Sequence, residues 1–316
     1  MQINDEFNVR IEKISNLGTG IAKIDGQVVF VENVCPGDEV KIKITKTNKN
    51  YAFAEAVEII KPSKHRVKPI CPMQKICGSC QMGFIDYDYQ LQLKYEIVKD
   101  SVQKIGGIDV PVAFPIPSPK IINYRQKIQY PVGQTKNSKR ILAGYYKQNS
   151  HDIINIKYCP MHDKIISDIT EYIKEFAFNL NISGYNEKTG KGLIRHIIYR
   201  QSSFSGEIFL IFVINSNIIS ENIKKLANKL KDKFKIITGI SVNFNTARTN
   251  LIMGELTQNI YGNNYYIEKL ENINYKISAN SFFQVNPYAA KIIFNKVKEL
   301  IKERTVFPSI LDAYSG

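Results

Sequence analysis

Residues 18–40 read GTGIAKIDGQVVFVENVCPGDEV, and this stretch sets the reading of the N-terminal fold. Val, Ile and Phe crowd into runs of strand length. The breaks between them carry turn chemistry, first Asp25-Gly26 and then Cys35-Pro36-Gly37-Asp38. EVKIKIT (39–45) and YAFAEAVEII (51–60) continue the pattern. Short strands at close spacing predict a small closed barrel of the oligonucleotide-binding type over residues 1–62. The glycines of GTGIA have no helix after them, so they mark a turn into a strand, not a dinucleotide fingerprint. Lys41, Lys43, Lys46 and Lys49 give the barrel a basic edge, which also discourages edge-to-edge pairing.

The whole chain is basic: 316 residues carry a formal net charge of +14. Such a balance points to a polyanionic partner, most commonly nucleic acid. From Lys120 to Pro160, eight Lys or Arg residues stand against one acid, Asp152. Tyr124, Tyr130, Tyr145, Tyr146 and Tyr158 lie among them. Cations that neutralise phosphate and aromatic faces that stack on unpaired bases predict RNA contact here, against the plainer reading of tyrosines turned into a core. No run of about 18 apolar residues appears, and MQINDEFNVRIEK is too polar for a secretory signal. No membrane partner and a cytoplasmic location are expected.

A basic linker bracketed by proline, KPSKHRVKP (61–69), leads to a long helix expected from about Asp86 to Ile105. Its apolar stripe reads Leu91, Tyr95, Val98, Val102 and Ile105, and Gly106-Gly107 ends it. PVAFPIPSP (111–119) is extended. LIRHIIYRQ (193–201) and EIFLIFVIN (207–215), joined by SSFSG, predict an antiparallel hairpin. Ser220 then caps a helix with Ile223, Leu226, Leu230 and Phe234 on one face, and ITGISVNFN (237–245) follows as a strand. This order makes the middle of the chain α+β or α/β. His196, alternating with Arg195 and Arg200, reads as a surface or RNA-facing residue with no catalytic partner.

CPMQKICGSC (71–80) holds three of the five cysteines, Cys71, Cys77 and Cys80. Cys77-Gly-Ser-Cys80 can present two sulfurs to one metal, with Gly78 easing the turn. Cys159, directly before a proline as Cys71 is, offers a fourth ligand, while Cys35 reads as a buried structural thiol. A disulfide framework does not suit a cytosolic chain of this size. Structural zinc accepts four thiolates but favours two close pairs. One triplet plus a remote cysteine suits an iron–sulfur cluster, and the spacing leaves both metals open.

Taken together these segments resemble the uracil-5-methyltransferases of ribosomal and transfer RNA. GTGIAKIDGQVVFVENVCPGDEV resembles the start of their RNA-binding TRAM barrel. C-x5-C-x2-C with a distant C-P resembles the cluster-bearing members. NYRQKIQYPVG resembles the start of their central domain, SFFQVNP (281–287) the entry to the methyltransferase domain, and ILDAYSG (310–316) its first cofactor loop. The resemblance runs in order along the whole chain. It implies a multidomain α/β fold: an OB-like TRAM β-barrel (1–62), a central α+β iron–sulfur and RNA-binding domain (63–270), and the start of a class I, Rossmann-like methyltransferase domain (271–316).

By the same resemblance Cys71, Cys77, Cys80 and Cys159 hold a [4Fe-4S] cluster, and Gln284 and Tyr314 bind S-adenosyl-L-methionine. Asn286-Pro287 is also a good N-cap and N1 pair, which would fix where Gln284 points. The implied reaction is methylation of uridine C5 in RNA, 23S ribosomal RNA ahead of transfer RNA, by a monomer. The family's nucleophilic cysteine and general base have no counterpart here: four cysteines go to the cluster and Cys35 lies in the barrel. The chain is therefore expected to be an inactive fragment of an enzyme, with an unpaired apolar edge around ILDAY. The alternative is a non-catalytic RNA-binding module stapled by zinc or a cluster.

Overall fold

A computed structural model of the protein describes residues 1–135, 138–304 and 309–313. The chain forms two compact units, Met1–Pro117 with Tyr146–Ser150, and Ser118–Tyr145 with His151–Gly316. These units follow packing, and so cut the chain at different places from the three segments defined by motif.

The first unit begins with β1 (Glu6–Arg10), β2 (Lys13–Ile14), β3 (Gly20–Ile24), β4 (Gln27–Glu32), β5 (Glu39–Thr47) and β6 (Tyr51–Lys61). They form one sheet in the order β1-β5-β6-β4-β3-β2, antiparallel except for the parallel pair β4–β6. Alternation aims Val40, Ile42 and Ile44 of β5, Val29 and Val31 of β4, and Ala52 and Ala54 of β6 into a single core. Phe7 and Val9 of β1 and Ala22 of β3, near opposite ends of the order, share that core, so the sheet curls around it. Among the described residues β1 and β2 remain the two ends, so the closure expected from sequence is made by packing and not by a β1–β2 ladder. The β3–β4 hairpin turns on Asp25 (φ 48°) and Gly26 (φ 82°), both left-handed as a type I′ turn requires.

Asp38, expected only as a turn residue, is fully buried. Arg66 of the linker reaches it with Nε at 2.9 and 3.0 Å and Nη2 at 2.8 Å from its carboxylate oxygens. The amides of Cys35 (2.6 Å) and Ser63 (2.8 Å) donate to the same carboxylate. This cluster ties the barrel's turn to the linker. The next helix is α1 (Tyr87–Asp100), capped by Asp86, and it runs on through a π-helical turn (Ser101–Ile105) to Gly106. Its packed face matches the expected stripe only in part: Leu91 is buried as expected, but the main contact row is another. Leu93, with Tyr89 and Ile97, meets Phe84, Ile85, Cys35 and Ile14, whereas Val98 is 48% and Ile105 84% exposed. The partner surface comes from residues just before the helix and from the barrel, which selects the 89/93/97 row.

The second unit contains β7 (Lys127–Gln134), β8 (Ile141–Ala143), α2 (Lys164–Asn179), β9 (Ile194–Gln201), β10 (Ile208–Ile214), α3 (Glu221–Lys233), β11 (Ile237–Phe244) and β12 (Thr257–Gly262). Their sheet runs β12-β11-β10-β9-β7-β8. β9–β10 is the expected hairpin, and β10–β11 is parallel with α3 as its crossover. Ser220 caps α3 by accepting from the Ile223 amide. Ile166, Ile169 and Ile173 of α2 and Ile223, Leu226 and Leu230 of α3 cover one face. The hairpin of β13 (Tyr265–Leu270) and β14 (Ile273–Ser278) packs on the other, through Tyr266 and Ile277 against Ile198, Phe209, Ile211 and Val213.

With both faces covered, β9 has no solvent side. Arg195 and Arg200 are therefore buried rather than at the surface, and His196 is partly buried between Pro131 of β7 and Val213 of β10, its cross-strand partners. Finally α4 (Pro287–Arg304) begins at the predicted position, with Asn286 Oδ1 accepting from the Ala289 amide at 3.1 Å. No strand forms at residues 309–313, where Ile310 and Leu311 are exposed. The strand expected at ILDAY has no hydrogen-bonded neighbour among the described residues. No helix among the described residues is long and apolar enough to cross a membrane.

Candidate functional site

The segment between β14 and α4, residues 279–286, is fastened at several points within the second unit. Arg200 Nη2 donates to the carbonyls of Ala279 (2.8 Å) and Ser281 (2.7 Å). The Gln126 amide donates to Val285 O at 2.9 Å. Asn286 Nδ2 donates to Ser118 Oγ at 3.2 Å, and Phe283 packs on Tyr275 with ring centroids 5.4 Å apart. Gln284 sits between these anchors with its side chain exposed. The chain thus holds the backbone on both sides of Gln284 while leaving its amide to solvent. Tyr314, the other expected cofactor residue, lies outside the described residues.

Arg200 is a positioning group with a measurable effect. Replacing it by methionine keeps the apolar stem and removes both donated bonds, each of about 1.5–3 kcal/mol for a charged donor. Part of that is recovered because a buried guanidinium no longer needs solvation. Amide exchange across 279–285 is expected to quicken about tenfold or more, with β10 unchanged. Equal protection in both proteins would show that the loop is held without Arg200.

Cations gather near this loop. Lys127 and Arg200 are cross-strand partners, and Arg125 Nε donates to Lys127 O at 3.0 Å. Burial, then the charges of Arg200 and Arg125, lower the Lys127 ammonium below its ordinary pKa. Lys120 Nζ lies 3.2 Å from the Tyr288 hydroxyl and 4.7 Å from the centroid of its ring. An anion placed among these groups would relieve their mutual repulsion. The tyrosines nearby divide. Tyr130 and Tyr145 belong to the core, which corrects their reading as base-stacking residues, while Tyr158 is exposed. Tyr130 is drawn inward by His162, whose Nε2 accepts from its hydroxyl at 2.5 Å while Nδ1 donates to Asp163 O at 3.0 Å. Sequence reasoning missed this pair, and only the apolar alternation Ile128-Tyr130-Val132 hinted at Tyr130's burial.

The cysteine loop belongs to the first unit. The Cys77 amide donates to Met73 O (2.8 Å), and Gln74 Nε2 to Cys80 O (2.8 Å). Residues 146–150 run alongside: Gly78 N donates to Tyr146 O (3.1 Å), and Gln148 N to Ile76 O (3.0 Å). Gly78 suits that approach, since a Cβ there would stand a tight 3.2 Å from Gln148 Cα. Burial pushes the Cys71 thiol up, with the Cys77 charge adding to the effect. Cys159 is buried in the second unit. The donors suit a thiolate-bound centre in chemistry. Among the described residues, however, no three His, Cys, Asp or Glu side chains converge into a metal-holding group. Cys35 is buried with its thiol pushed up by desolvation, as a structural thiol should be.

The TRAM domain family matches residues 2–57, the curled sheet of the first unit. A Bacillus cereus protein named as an RNA methyltransferase is 35% identical over 99% of this chain and 68% of its own length. The chain belongs to the RNA methyltransferase family. A Clostridium tetani RNA methyltransferase is likewise 35% identical, over 99% of this chain and 67% of its own length. This RNA methyltransferase chain therefore spans about two thirds of the length of these relatives. Its fold is similar to that of Pyrococcus abyssi tRNA (uracil-54, C5)-methyltransferase in complex with S-adenosyl-L-homocysteine, with a TM-score of 0.71 and 26% identity, covering 93% of this chain and 65% of that one.

Proposed function

We propose that this chain is the RNA-recognition and cofactor-approach portion of a cytoplasmic, monomeric, S-adenosyl-L-methionine-dependent RNA (uracil-5-)-methyltransferase. The carrying observation is the fastened 279–286 loop, in which Val285, next to Gln284, is bonded to Gln126 between Arg125 and Lys127, and Lys120 meets Tyr288 just beyond it. Likeness to a uracil-C5 enzyme that binds S-adenosyl-L-homocysteine supports it. When bound, the cofactor supplies an electrophilic methyl group. Gln284 offers one acceptor and two donors to orient it, and Tyr314 extends the same site by resemblance. Arg200 fixes the loop, and the half-buried cations take phosphates on either side of the target uridine. The barrel and the cysteine triplet favour 23S ribosomal RNA, while the structural neighbour acts on tRNA.

Methyl transfer to uracil C5 needs a thiolate to add at C6 and a base to remove the C5 proton. Cys35 is a poor thiolate, buried and with a raised pKa, and the other four cysteines go to the cluster proposed below, so in this reading the chain by itself binds and does not turn over. That observation also favours the second reading, a non-catalytic RNA-binding module. For the cysteines we propose a [4Fe-4S] cluster on Cys71, Cys77, Cys80 and Cys159, supported by soft-donor chemistry and spacing.

Two measurements on the anaerobically purified chain test these readings. Calorimetry with S-adenosyl-L-homocysteine is expected to show binding that Gln284→Ala weakens about tenfold, a typical loss for two hydrogen bonds, with RNA affinity unchanged. No effect of the substitution would transfer the weight to the binding module. Iron, sulfide and zinc are assayed together, in wild type and Cys159→Ser. About four iron and four sulfide, lost on substitution, would support the cluster; one zinc without sulfide would replace it.

A further inference from the structure

The outer face of the barrel carries aromatic rings that its own packing does not use. Along β6, Ala52 and Ala54 point into the core while Tyr51 and Phe53 point outward, 40% and 37% exposed. Phe30 of β4 is the cross-strand partner of Phe53, and Val28 that of Tyr51. The three rings contact one another pairwise. Phe30 and Tyr51 have centroids 5.9 Å apart at 77°, Phe30 and Phe53 5.6 Å at 32°, and Tyr51 and Phe53 5.6 Å at 86°. Two of the three pairs are edge-to-face and the Phe30–Phe53 pair is tilted, the offset arrangements that aromatic rings favour, and Tyr51 and Phe53 keep more than a third of their surface in solvent.

The rim of this cluster is cationic. Lys46 of β5 stands opposite Phe53, and Lys23 of β3 opposite Val28. Lys49 lies in the turn between β5 and β6, and all three lysines are exposed. Acids stand at the margins. Asp25 is in the β3–β4 turn, and the pair Glu32–Glu55 lies two residues further along β4 and β6 from Phe30 and Phe53. Glu55 faces Lys43, and Glu32 accepts from Asn149 Nδ2 at 2.7 Å.

We propose that Phe30, Tyr51 and Phe53 form a stacking platform for unpaired bases of single-stranded RNA, with Lys23, Lys46 and Lys49 taking its phosphates. This rests on the RNA reading above and adds the surface and the form of RNA. Charge decides the occupant. An apolar protein partner would leave the lysine rim desolvated, whereas a nucleic-acid strand brings both flat rings and negative charge. Duplex RNA offers no free base faces. The Glu32–Glu55 end repels phosphate, so the strand leaves the platform past the lysines.

The test is fluorescence anisotropy of the full chain with a labelled single-stranded RNA decamer, at several salt concentrations. A ribose-phosphate oligomer of equal length lacking bases is run beside it. Tyr51→Leu with Phe53→Leu is expected to cost about tenfold or more in RNA affinity. Binding of the baseless oligomer and the slope of affinity on salt should not change. Lys46→Gln is expected to lower that slope by about one contact. The chain has no tryptophan, so Phe53→Trp gives a reporter whose emission should be quenched by RNA and not by the baseless oligomer. It remains informative where the leucine variant fails to fold. RNA binding retained in the leucine variant, or a Phe53→Trp variant that binds RNA without quenching, removes the platform and leaves the RNA reading intact. Failure of the wild-type chain to bind RNA removes both.

Discussion

Replacing Asp38 by alanine is expected to cost about 3–5 kcal/mol of stability, the usual loss when one partner of a buried ion pair is removed. Asp38 is fully buried and Arg66 largely so, with side-chain exposures of 0% and 18%. Three contacts from Arg66 and two backbone amides converge on one carboxylate. Alanine leaves the guanidinium without its charge partner, although Arg66 keeps the Asn33 carbonyl at 2.9 Å and the face of Phe84. The amides of Cys35 and Ser63 lose their acceptor as well. Urea unfolding of Asp38→Ala, Arg66→Met and the double variant separates the two effects. The double variant should be less damaged than Asp38→Ala, because no charge is left buried. A loss below about 1 kcal/mol in Asp38→Ala would put this contact among ordinary surface pairs.

The second large effect is a dependence on pH through His196. Burial, followed by the charge of Arg195, lowers its pKa to about 4, against a small opposing pull from Glu187. The folded state thus takes up the proton at lower pH than the unfolded chain, in which histidine titrates near 6.5. Stability from this group is complete above about pH 6.5 and is lost as the pH falls towards 4, by about 3 kcal/mol in all. His162, also lowered by burial, acts in the same direction. Denaturation of wild type and His196→Gln between pH 7.5 and 4 reads this directly. The gap between the two curves should shrink or reverse on acidification, and parallel curves would mean that His196 titrates alike in both states.

The parts of the fold that were legible in the sequence are those fixed by local chemistry. Asp25-Gly26 declares a type I′ hairpin because few residues tolerate two successive left-handed positions. Ser220 and the Ile223-Leu226-Leu230 stripe give α3 its start and its buried face. Asn286-Pro287 sets the start of α4. The failures share one physical origin, a partner far away in sequence. His196, Arg195 and Arg200 read as a polar strand edge, yet distant partners bury both arginines: the segment after the β13–β14 hairpin takes Arg200, and Asn245, Ala247 and the Tyr185 ring take Arg195. Asp38 reads as a turn residue until Arg66, 28 positions on, arrives to neutralise it. Tyr130 and Tyr145 sit in a basic stretch, yet composition cannot reveal which way a ring faces. At the site, the loop carrying Gln284 was legible as a motif, but its anchor Arg200 was not.

The placement of Tyr146–Ser150 in the first unit, away from its neighbours in sequence, orders events during synthesis. A chain emerging from the ribosome can curl the barrel and form α1 as soon as those residues are free. The cysteine loop at that moment lacks the backbone that accepts from Gly78 and donates to Ile76, because residues 146–150 are still to be made. The intervening stretch includes β7 and β8, which belong to the other unit. Closure of the loop is thus a late step that waits on a second visit of the chain. Until then its thiols are more open to solvent, oxidant and incoming metal than in the finished fold.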